Sequence, residues 1–368
     1  MANINDYLLW RGDIPICEDV PFNEVDSMIL ARFSYLLFDM IEMKAKETIE
    51  SISNKMKDFE NEEFKFNGDK ELITNLGSSL RFKDMIVTDY VKNNDKEVER
   101  QFSAITIHIS DNEMYLSYLG TDKTILGWKE DFNMSFMENV PAQIAGLEYA
   151  LKIGTKYPDK MLRLGGHSKG GNVAVYASVQ CPKEIQNRII RVYNFDGPGF
   201  DKKVVESNKN KKIIEKVYTY IPQDSVIGRI LEHEEQYAVV QSIEKGLYQH
   251  DIYSWQVLGT KMIKLDKVTN SSEVVNYAIR EWLKSTTPEQ RKIFFDCIFE
   301  VFYSTDANSF GDINIKSIPT IIKTYRDIPE TDRKTILKML KVFGKAYLRT
   351  YDTFPRWLKT LDLSYINM

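Results

Sequence analysis

A glycine-rich turn between an apolar strand and a helix of small residues places the strongest constraint on how this chain folds. The turn reads Gly165-Gly166-His167-Ser168-Lys169-Gly170-Gly171. Glycines on both sides of Ser168 let a strand and a helix approach each other without Cβ clashes. A serine in such a turn projects its hydroxyl above the sheet, close to the first amide of the helix. The sequence therefore predicts a nucleophile elbow at Ser168; the alternative is a glycine-rich turn that binds phosphate or nothing.

The pattern around this turn predicts the fold class. Residues 102–109 alternate with period two, and the polar turn 110–113 separates them from a second strand at 114–119, which predicts a hairpin. From 161 to 258, short apolar strands alternate with helices, and the last strand is expected at Tyr253 to Leu258. A hairpin that leads into such an alternation implies a mixed, mostly parallel sheet with helices on both faces.

Helical patterns flank this central region. Apolar residues recur every three or four positions from Val25 to Met40, after the candidate N-cap Asn23. We divide the chain into an N-terminal helical extension (1–100), a core (101–262) and a C-terminal helical region packed on the core (263–368). The C-terminal region carries aromatic residues at a spacing usual for helix packing, with a lid over the site as the alternative. They are Phe302, Tyr303, Phe343, Tyr347, Phe354 and Trp357.

Composition and charge exclude several classes of protein. The 368 residues, 43% of them hydrophobic, are enough to bury a full core. The 49 basic and 53 acidic residues nearly cancel, which disfavours nucleic acid as the main partner. The three cysteines, Cys17, Cys181 and Cys297, form no C-x-x-C pair, so we expect free thiols in a cytoplasmic protein and no structural metal. We expect neither a signal peptide nor a transmembrane segment.

A serine nucleophile needs a base, and this chain offers few candidates. It has four histidines, of which only His233 and His250 follow Ser168, the chain order used by α/β-hydrolases. His233 lies in an acidic run, Leu231–Glu235, typical of a solvated loop. His250 precedes an aromatic stretch in a loop setting, and we favour it. His167, inside the elbow, is expected to point away.

Two aspartates compete to be the acid that orients this base. Asp224 directly follows the strand that ends at Ile221, and a carboxylate at that end of a strand faces the active-site edge of a parallel sheet. Asp196 ends the previous predicted strand, and it remains a second candidate for the orienting acid. Asp251 is next to His250, and neighbouring residues rarely face each other. The sequence favours Asp224.

At these residues the chain resembles the class 3 (fungal-type) lipases. The elbow is similar to their Gly-His-Ser-Leu-Gly-Gly, and three further features agree in order. These are Tyr118-Leu119-Gly120-Thr121 followed by Trp128 and Asp131, the strand end Phe195-Asp196-Gly197-Pro198-Gly199, and the placement of Asp224 and His250. The resemblance covers about residues 102–258 and implies an α/β-hydrolase fold. The flanks, including Asn5–Gly12, resemble a bacterial family of proteins with a lipase-like core.

The resemblance also implies site roles. Thr121 would supply a second oxyanion donor beside the amide of Lys169, and no cofactor would be needed. Two positions depart from the lipase pattern. Leu119 stands where these lipases have an arginine, which removes a buried charge, and Lys169 replaces a leucine. We expect the Lys169 ammonium near the pocket mouth, where it would be compatible with a substrate that carries a carboxylate or a phosphate.

Together these features favour a serine hydrolase that cleaves a carboxylic ester of a small molecule or a lipid. Ser168 would attack, His250 would act as base and Asp224 as its orienting acid. The alternative is a hydrolase-fold binding or interaction protein with weak or no turnover, since one fold serves many functions.

Overall fold

A computed structural model of the chain describes residues 2–207, 211–305, 307–309 and 312–353. In chain order the strands are β1 (Lys46–Thr48), β2 (Ile86–Asp95), β3 (Arg100–His108), β4 (Glu113–Tyr118), β5 (Met161–His167), β6 (Ile189–Phe195), β7 (Val217–Pro222), β8 (Tyr237–Val240), β9 (Val257–Leu258), β10 (Lys261–Met262) and β11 (Lys264–Leu265). The helices are α1 (Ile4–Arg11), α2 (Glu24–Phe33), α3 (Ile49–Met56), α4 (Asp69–Ser78), α5 (Ile125–Asn133), α6 (Pro141–Lys156), α7 (Lys169–Gln180), α8 (Lys183–Gln186), α9 (Lys202–Ser207), α10 (Lys211–Ile214), α11 (Asn270–Lys284), α12 (Pro288–Tyr303), α13 (Ile318–Asp327) and α14 (Glu330–Thr353).

One large mixed sheet organises the described residues. Its strand order is β1-β2-β3-β4-β5-β6-β7-β8-β11. Strands β1 to β4 pair antiparallel, β4 to β8 pair parallel, and β11 returns antiparallel to β8. The parallel strands bring the ends of β5, β6 and β7 to one edge, where loops can assemble a site.

Helices cover both faces of the sheet. Along β3, Ile105 and Ile107 pack into the layer that contains α2, whereas Phe102 and Ala104 pack into the layer that contains α6 and α7. This alternation is the period-two pattern of the sequence, realised as two cores. The mixed sheet with helices on both faces confirms the predicted fold class, an α/β-hydrolase fold.

The N-terminal region contains more than the predicted helices. Asn23 caps α2, as predicted, by accepting hydrogen bonds from the Val25 and Asp26 amides. However, β1 and β2 join the sheet and are not helical. β2 has a register shift between Thr88 and Val91 that breaks the alternation on which a strand prediction depends.

The expected strand at Tyr253 to Leu258 is wrong over most of its length. Residues Ile252–Ser254 form a 3-10 turn, and β9 keeps only Val257 and Leu258, paired with β10 outside the large sheet. The fully buried Trp255 donates from Nε1 to the Gln249 carbonyl at 2.7 Å. This tertiary contact fixes the segment in place of a strand ladder.

The C-terminal helices pack against the core through α5. Phe295 of α12 stacks on Phe132 of α5 with ring centroids 4.6 Å apart, and Lys129 pairs with Asp296. Phe302 and Tyr303 join this cluster, whereas Phe354 and Trp357 lie outside the described residues. Among the helices described, none has the length and apolar character needed to cross a membrane.

Candidate active site

The predicted elbow is present at the junction of β5 and α7. Ser168 lies between them with φ 58° and ψ −134°, a backbone conformation that costs a non-glycine residue about 1–3 kcal/mol. A Cβ on Gly170 would lie 2.1 Å from the Tyr118 carbonyl oxygen, so only glycine allows this close approach. The turn therefore holds Ser168 in a strained conformation at the edge of the sheet where β5, β6 and β7 end.

Ser168, His250 and Asp196 form a chain of hydrogen bonds. His250 Nε2 is 2.9 Å from Ser168 Oγ, and His250 Nδ1 is 2.6 Å from Asp196 Oδ2. Because an ionised carboxylate only accepts, Nδ1 carries the proton and Nε2 is free to accept from the serine hydroxyl. Asp196 is buried, whereas the His250 side chain is 25% exposed. The imidazole can therefore reach both its acid and the solvent side of the site.

Backbone geometry aims Asp196 at the histidine. The residue directly follows β6 and has φ 53°, which turns its side chain out of the strand direction. Its second oxygen, Oδ1, accepts from the Ser225 hydroxyl and from the Gly228 amide at 3.2 Å. Both oxygens thus have fixed donors, and the carboxylate is held in one orientation.

The preference for Asp224 as the orienting acid is corrected by this geometry. Its carboxylate bonds to the Gly246 amide, to the Gln249 side chain and to two hydroxyl groups beyond residue 268, whereas the His250 imidazole bonds to Asp196 and Ser168. Asp196 and Asp224 follow neighbouring parallel strands, so position along the chain does not separate them. Side-chain direction separates them, and it depends on the positive φ of Asp196.

His167 and His233 make hydrogen bonds that do not involve Ser168 or Asp196. His167 does not point away as expected: its Nε2 donates to the His250 carbonyl at 2.7 Å, and the two rings lie 4.6 Å apart. Tyr35 Oη lies 3.2 Å from His167 Nδ1. Burial is the main cause that holds the pKa of His167 well below its usual value, and the nearby His250 lowers it further. His233 pairs with Glu235 at 3.0 Å, and its side chain is largely buried, not solvated.

The two predicted oxyanion donors belong to residues close to Ser168 in the chain or in space. Lys169 is the first residue of α7, so its amide is at the positive end of the helix. Gly120, which precedes Thr121, packs so close that a Cβ added to it would lie 3.2 Å from Ser168 Cβ. The Thr121 hydroxyl donates to Asp131 Oδ2. The loop that carries Thr121 is therefore adjacent to the serine and tied to α5.

The expected position of the Lys169 ammonium is wrong. Its side chain is 1% exposed, and Nζ donates to Glu130 Oε2 at 2.7 Å and to Gln101 Oε1 at 2.7 Å. The ammonium is thus buried and paired with Glu130, and it does not lie at the mouth of a pocket. The suggestion of an anionic substrate, which depended on this lysine, loses its support.

Asp131, next to the loop that carries Thr121, has a carboxyl group with one buried oxygen and a raised pKa. Its Oδ1 is shut off from solvent and has no hydrogen-bond partner among the described residues. Burial raises the pKa of Asp131 to about 6, against the opposing effects of the Lys169 ammonium and of the hydrogen bond from Thr121. The carboxyl group that accepts from the Thr121 hydroxyl therefore has a pKa of about 6.

This titration predicts a pH-dependent stability. The Asp131 carboxyl loses its proton near pH 3.9 when unfolded and near pH 6 when folded. Between those values the folded chain binds more protons, so this group makes the free energy of unfolding fall as the pH rises. Asp131→Asn does not titrate, and its stability relative to the original protein should rise between about pH 4 and pH 6. Urea unfolding at several pH values measures this, with the exposed Asp159→Asn as the control; parallel profiles for Asp131→Asn and the original protein would contradict it.

Several known proteins are similar to this chain. Structural matches include a Rhizomucor miehei lipase–propeptide complex (12% identity, 44% of this chain and 58% of that chain, TM-score 0.33). Lipase II from Rhizopus niveus matches at 11% identity over 56% of this chain and 78% of its own, with a TM-score of 0.35. MDLA from Penicillium cyclopium matches at 9% identity over 61% and 87%, with a TM-score of 0.34.

The Rhizomucor match spans less than two thirds of the lipase chain. No curated protein matches the sequence. Residues 76–300, which include Ser168, Asp196 and His250, match the family named Mbeg1-like. That match covers more than half of the 368 residues. The chain belongs to the Mbeg1-like family.

Proposed function

We propose that this protein is a serine hydrolase that cleaves a carboxylic ester through an acyl-enzyme. The observation that carries the proposal is the chain of hydrogen bonds from Ser168 Oγ through His250 to Asp196, at 2.9 and 2.6 Å. Nucleophile, base and orienting acid at these distances are the arrangement that activates a serine. The strained turn at Ser168 and the adjacent helix N-terminus add support, because both are features of a nucleophile elbow.

In the proposed mechanism Ser168 Oγ attacks the acyl carbon while His250 Nε2 takes its proton. Asp196 keeps Nδ1 protonated and stabilises the imidazolium that forms. The amides of Lys169 and Thr121 would hold the oxyanion. His250 then gives the proton to the leaving alcohol. Water, activated in the same way by His250, releases the acid from Ser168. The protein contributes side chains and backbone amides to these steps, and water supplies the second nucleophile.

The substrate of this proposal is an ester of a small molecule or a lipid. The imidazole of His250 is partly exposed, whereas Ser168 is only 7% exposed, so a substrate would reach the serine from the side of the His250 segment. We also propose a cytoplasmic location in a bacterial cell. The free thiols of Cys17, Cys181 and Cys297 support the location, and the resemblance of the flanks supports the origin.

A fluorophosphonate probe tests the chemistry before any substrate is known. The folded protein should form a covalent adduct at Ser168, detected by intact-mass and peptide mass spectrometry, and Ser168→Ala should not label. A series of p-nitrophenyl and lipid esters of increasing acyl length then reports the substrate class. If the folded protein fails to label, or if Ser168→Ala labels equally, the hydrolase proposal is wrong and a binding role becomes the better hypothesis.

A further inference from the structure

Asp224 is a carboxylate at the active-site edge that the proposed mechanism does not use. Oδ2 accepts from the Gly246 backbone N–H at 3.1 Å and from Gln249 Nε2 at 3.1 Å. Oδ1 accepts from the hydroxyls of Thr269 and Ser271, the latter at 3.1 Å. One side chain therefore joins the segment that carries His250 to the N-terminus of α11.

Gln249, the residue before His250, completes this connection. Its side chain is 1% exposed, and both of its ends are used. Oε1 accepts from the Asp224 backbone N–H at 2.8 Å, while Nε2 donates to Asp224 Oδ2 and to the Glu244 carbonyl at 2.6 Å. Asp224 and Gln249 thus form a closed pair that involves both backbone and side chains.

Apolar packing contributes little to the position of the residues just before Gln249. Ile243, Leu247 and Tyr248 are 54%, 66% and 78% exposed. On the inner side, His167 and Trp255 donate to the carbonyls of His250 and Gln249, both at 2.7 Å. On the outer side, the bonds from the segment to Asp224 provide the matching constraint. Residues Gly246–His250 form a short 3-10 turn, and with so little buried apolar surface this turn depends on such polar contacts to keep one conformation.

We propose that Asp224 is a positioning residue that holds His250 in register between Ser168 and Asp196. The proposal rests on the hydrolase function proposed above, and it gives Asp224 a role that differs from that of the orienting acid. A catalytic histidine must stay within about 0.5 Å of its productive position, and residues outside the reacting atoms supply that precision. The pair of Asp224 and Gln249 is suited to this role because it fixes the residue adjacent to His250.

Two substitutions at the same position separate positioning from acid chemistry. Asp224→Ala removes all four acceptor contacts, and a displacement of His250 by about 1 Å should slow fluorophosphonate labelling about 100-fold. Asp224→Asn can still accept from Gly246 and Gln249 through its oxygen, while its amide faces the hydroxyls of Thr269 and Ser271, which can turn to accept. It should therefore slow labelling less than about tenfold. An orienting acid would not tolerate this exchange.

A spectroscopic signal makes the test independent of turnover. The proton between His250 Nδ1 and Asp196 should give a far-downfield proton NMR resonance that is absent in His250→Gln. Asp224→Ala should broaden or shift this resonance, and Asp224→Asn should retain it. If the unsubstituted protein shows the resonance but does not label, the proposed function fails while the positioning role can still be tested on the resonance.

A second variant keeps the test decisive if Asp224→Ala does not fold. Gln249→Met keeps the size of the side chain and removes its hydrogen bonds, so it should reproduce the effect of Asp224→Ala on the resonance and on labelling. The proposal is overturned if Asp224→Ala or, where that variant does not fold, Gln249→Met leaves both readouts at the level of the unsubstituted protein. It is also overturned if Asp224→Asn abolishes labelling as completely as Asp196→Asn, because Asp224 would then act as an acid.

Discussion

Replacing Asp196 by asparagine should lower kcat/KM for an ester substrate about 10⁴-fold without unfolding the protein. The asparagine oxygen would keep the donors Ser225 and Gly228, so its amide group would face His250 Nδ1. A donor at that position favours the imidazole tautomer with the proton on Nε2, and this tautomer cannot accept the proton of Ser168. Asparagine is also among the residues that best tolerate the φ of 53° at this position, so the backbone should not change.

The measurement compares kcat/KM, the fluorophosphonate labelling rate and thermal unfolding for Asp196→Asn and Asp224→Asn. The two aspartates follow neighbouring parallel strands at the same edge of the sheet, so the second variant is a matched control. Only Asp196→Asn should lose about four orders of magnitude. An Asp196→Asn protein within tenfold of the original would show that the 2.6 Å contact with His250 does not serve catalysis.

The nucleophile and base candidates could be proposed from local sequence alone. The glycines at fixed positions around Ser168 and the low number of histidines leave few alternatives. The structure places Ser168 Oγ 2.9 Å from His250 Nε2. The acid could not be chosen in this way. Asp196 and Asp224 both follow strands, and only the backbone conformation at Asp196 decides which carboxylate points at the histidine.

The fold shows a similar division between local and tertiary signals. The alternation in β3 and the change to β-α-β order predicted the mixed sheet, because each pattern is a property of one segment. Strand β2 was missed because its register shift between Thr88 and Val91 interrupts the alternation. The strand expected at Tyr253 to Leu258 was wrong because Trp255 packs in the interior and bonds to Gln249. Neither the register shift of β2 nor the contacts of Trp255 can be predicted from local periodicity.

The position of Lys169 could not be predicted either, since its partner lies 39 residues away on α5. Leu119 stands where the resemblance would place an arginine. The structure has a buried positive charge at another position, the ammonium of Lys169, which contacts Gln101 and Glu130. A lysine next to a nucleophile usually has its charged end in water. Here the carboxylate of Glu130 makes burial possible.

Removing the buried charge of Lys169 should strongly destabilise the protein. Lys169 and Glu130 are 1% and 0% exposed and lie 2.7 Å apart. Lys169→Met leaves the Glu130 carboxylate buried without its cation, which should lower the free energy of unfolding by about 3–5 kcal/mol. Lys152→Met, an exposed lysine on α6, is the matched control and should change it by less than about 0.5 kcal/mol.

A second substitution should restore much of this loss. Glu130 also accepts from the backbone N–H groups of Gln101 and Ala142, and a glutamine can serve one of them through its single oxygen. Lys169→Met combined with Glu130→Gln therefore carries no buried charge, and only about 1–3 kcal/mol of unmet hydrogen bonding should remain. Urea unfolding of the original protein, both single variants and the double variant gives the coupling between the two residues. A Lys169→Met protein no less stable than Lys152→Met would mean that water or a rearranged side chain solvates Glu130, and that the buried pair does not hold α5 against the elbow.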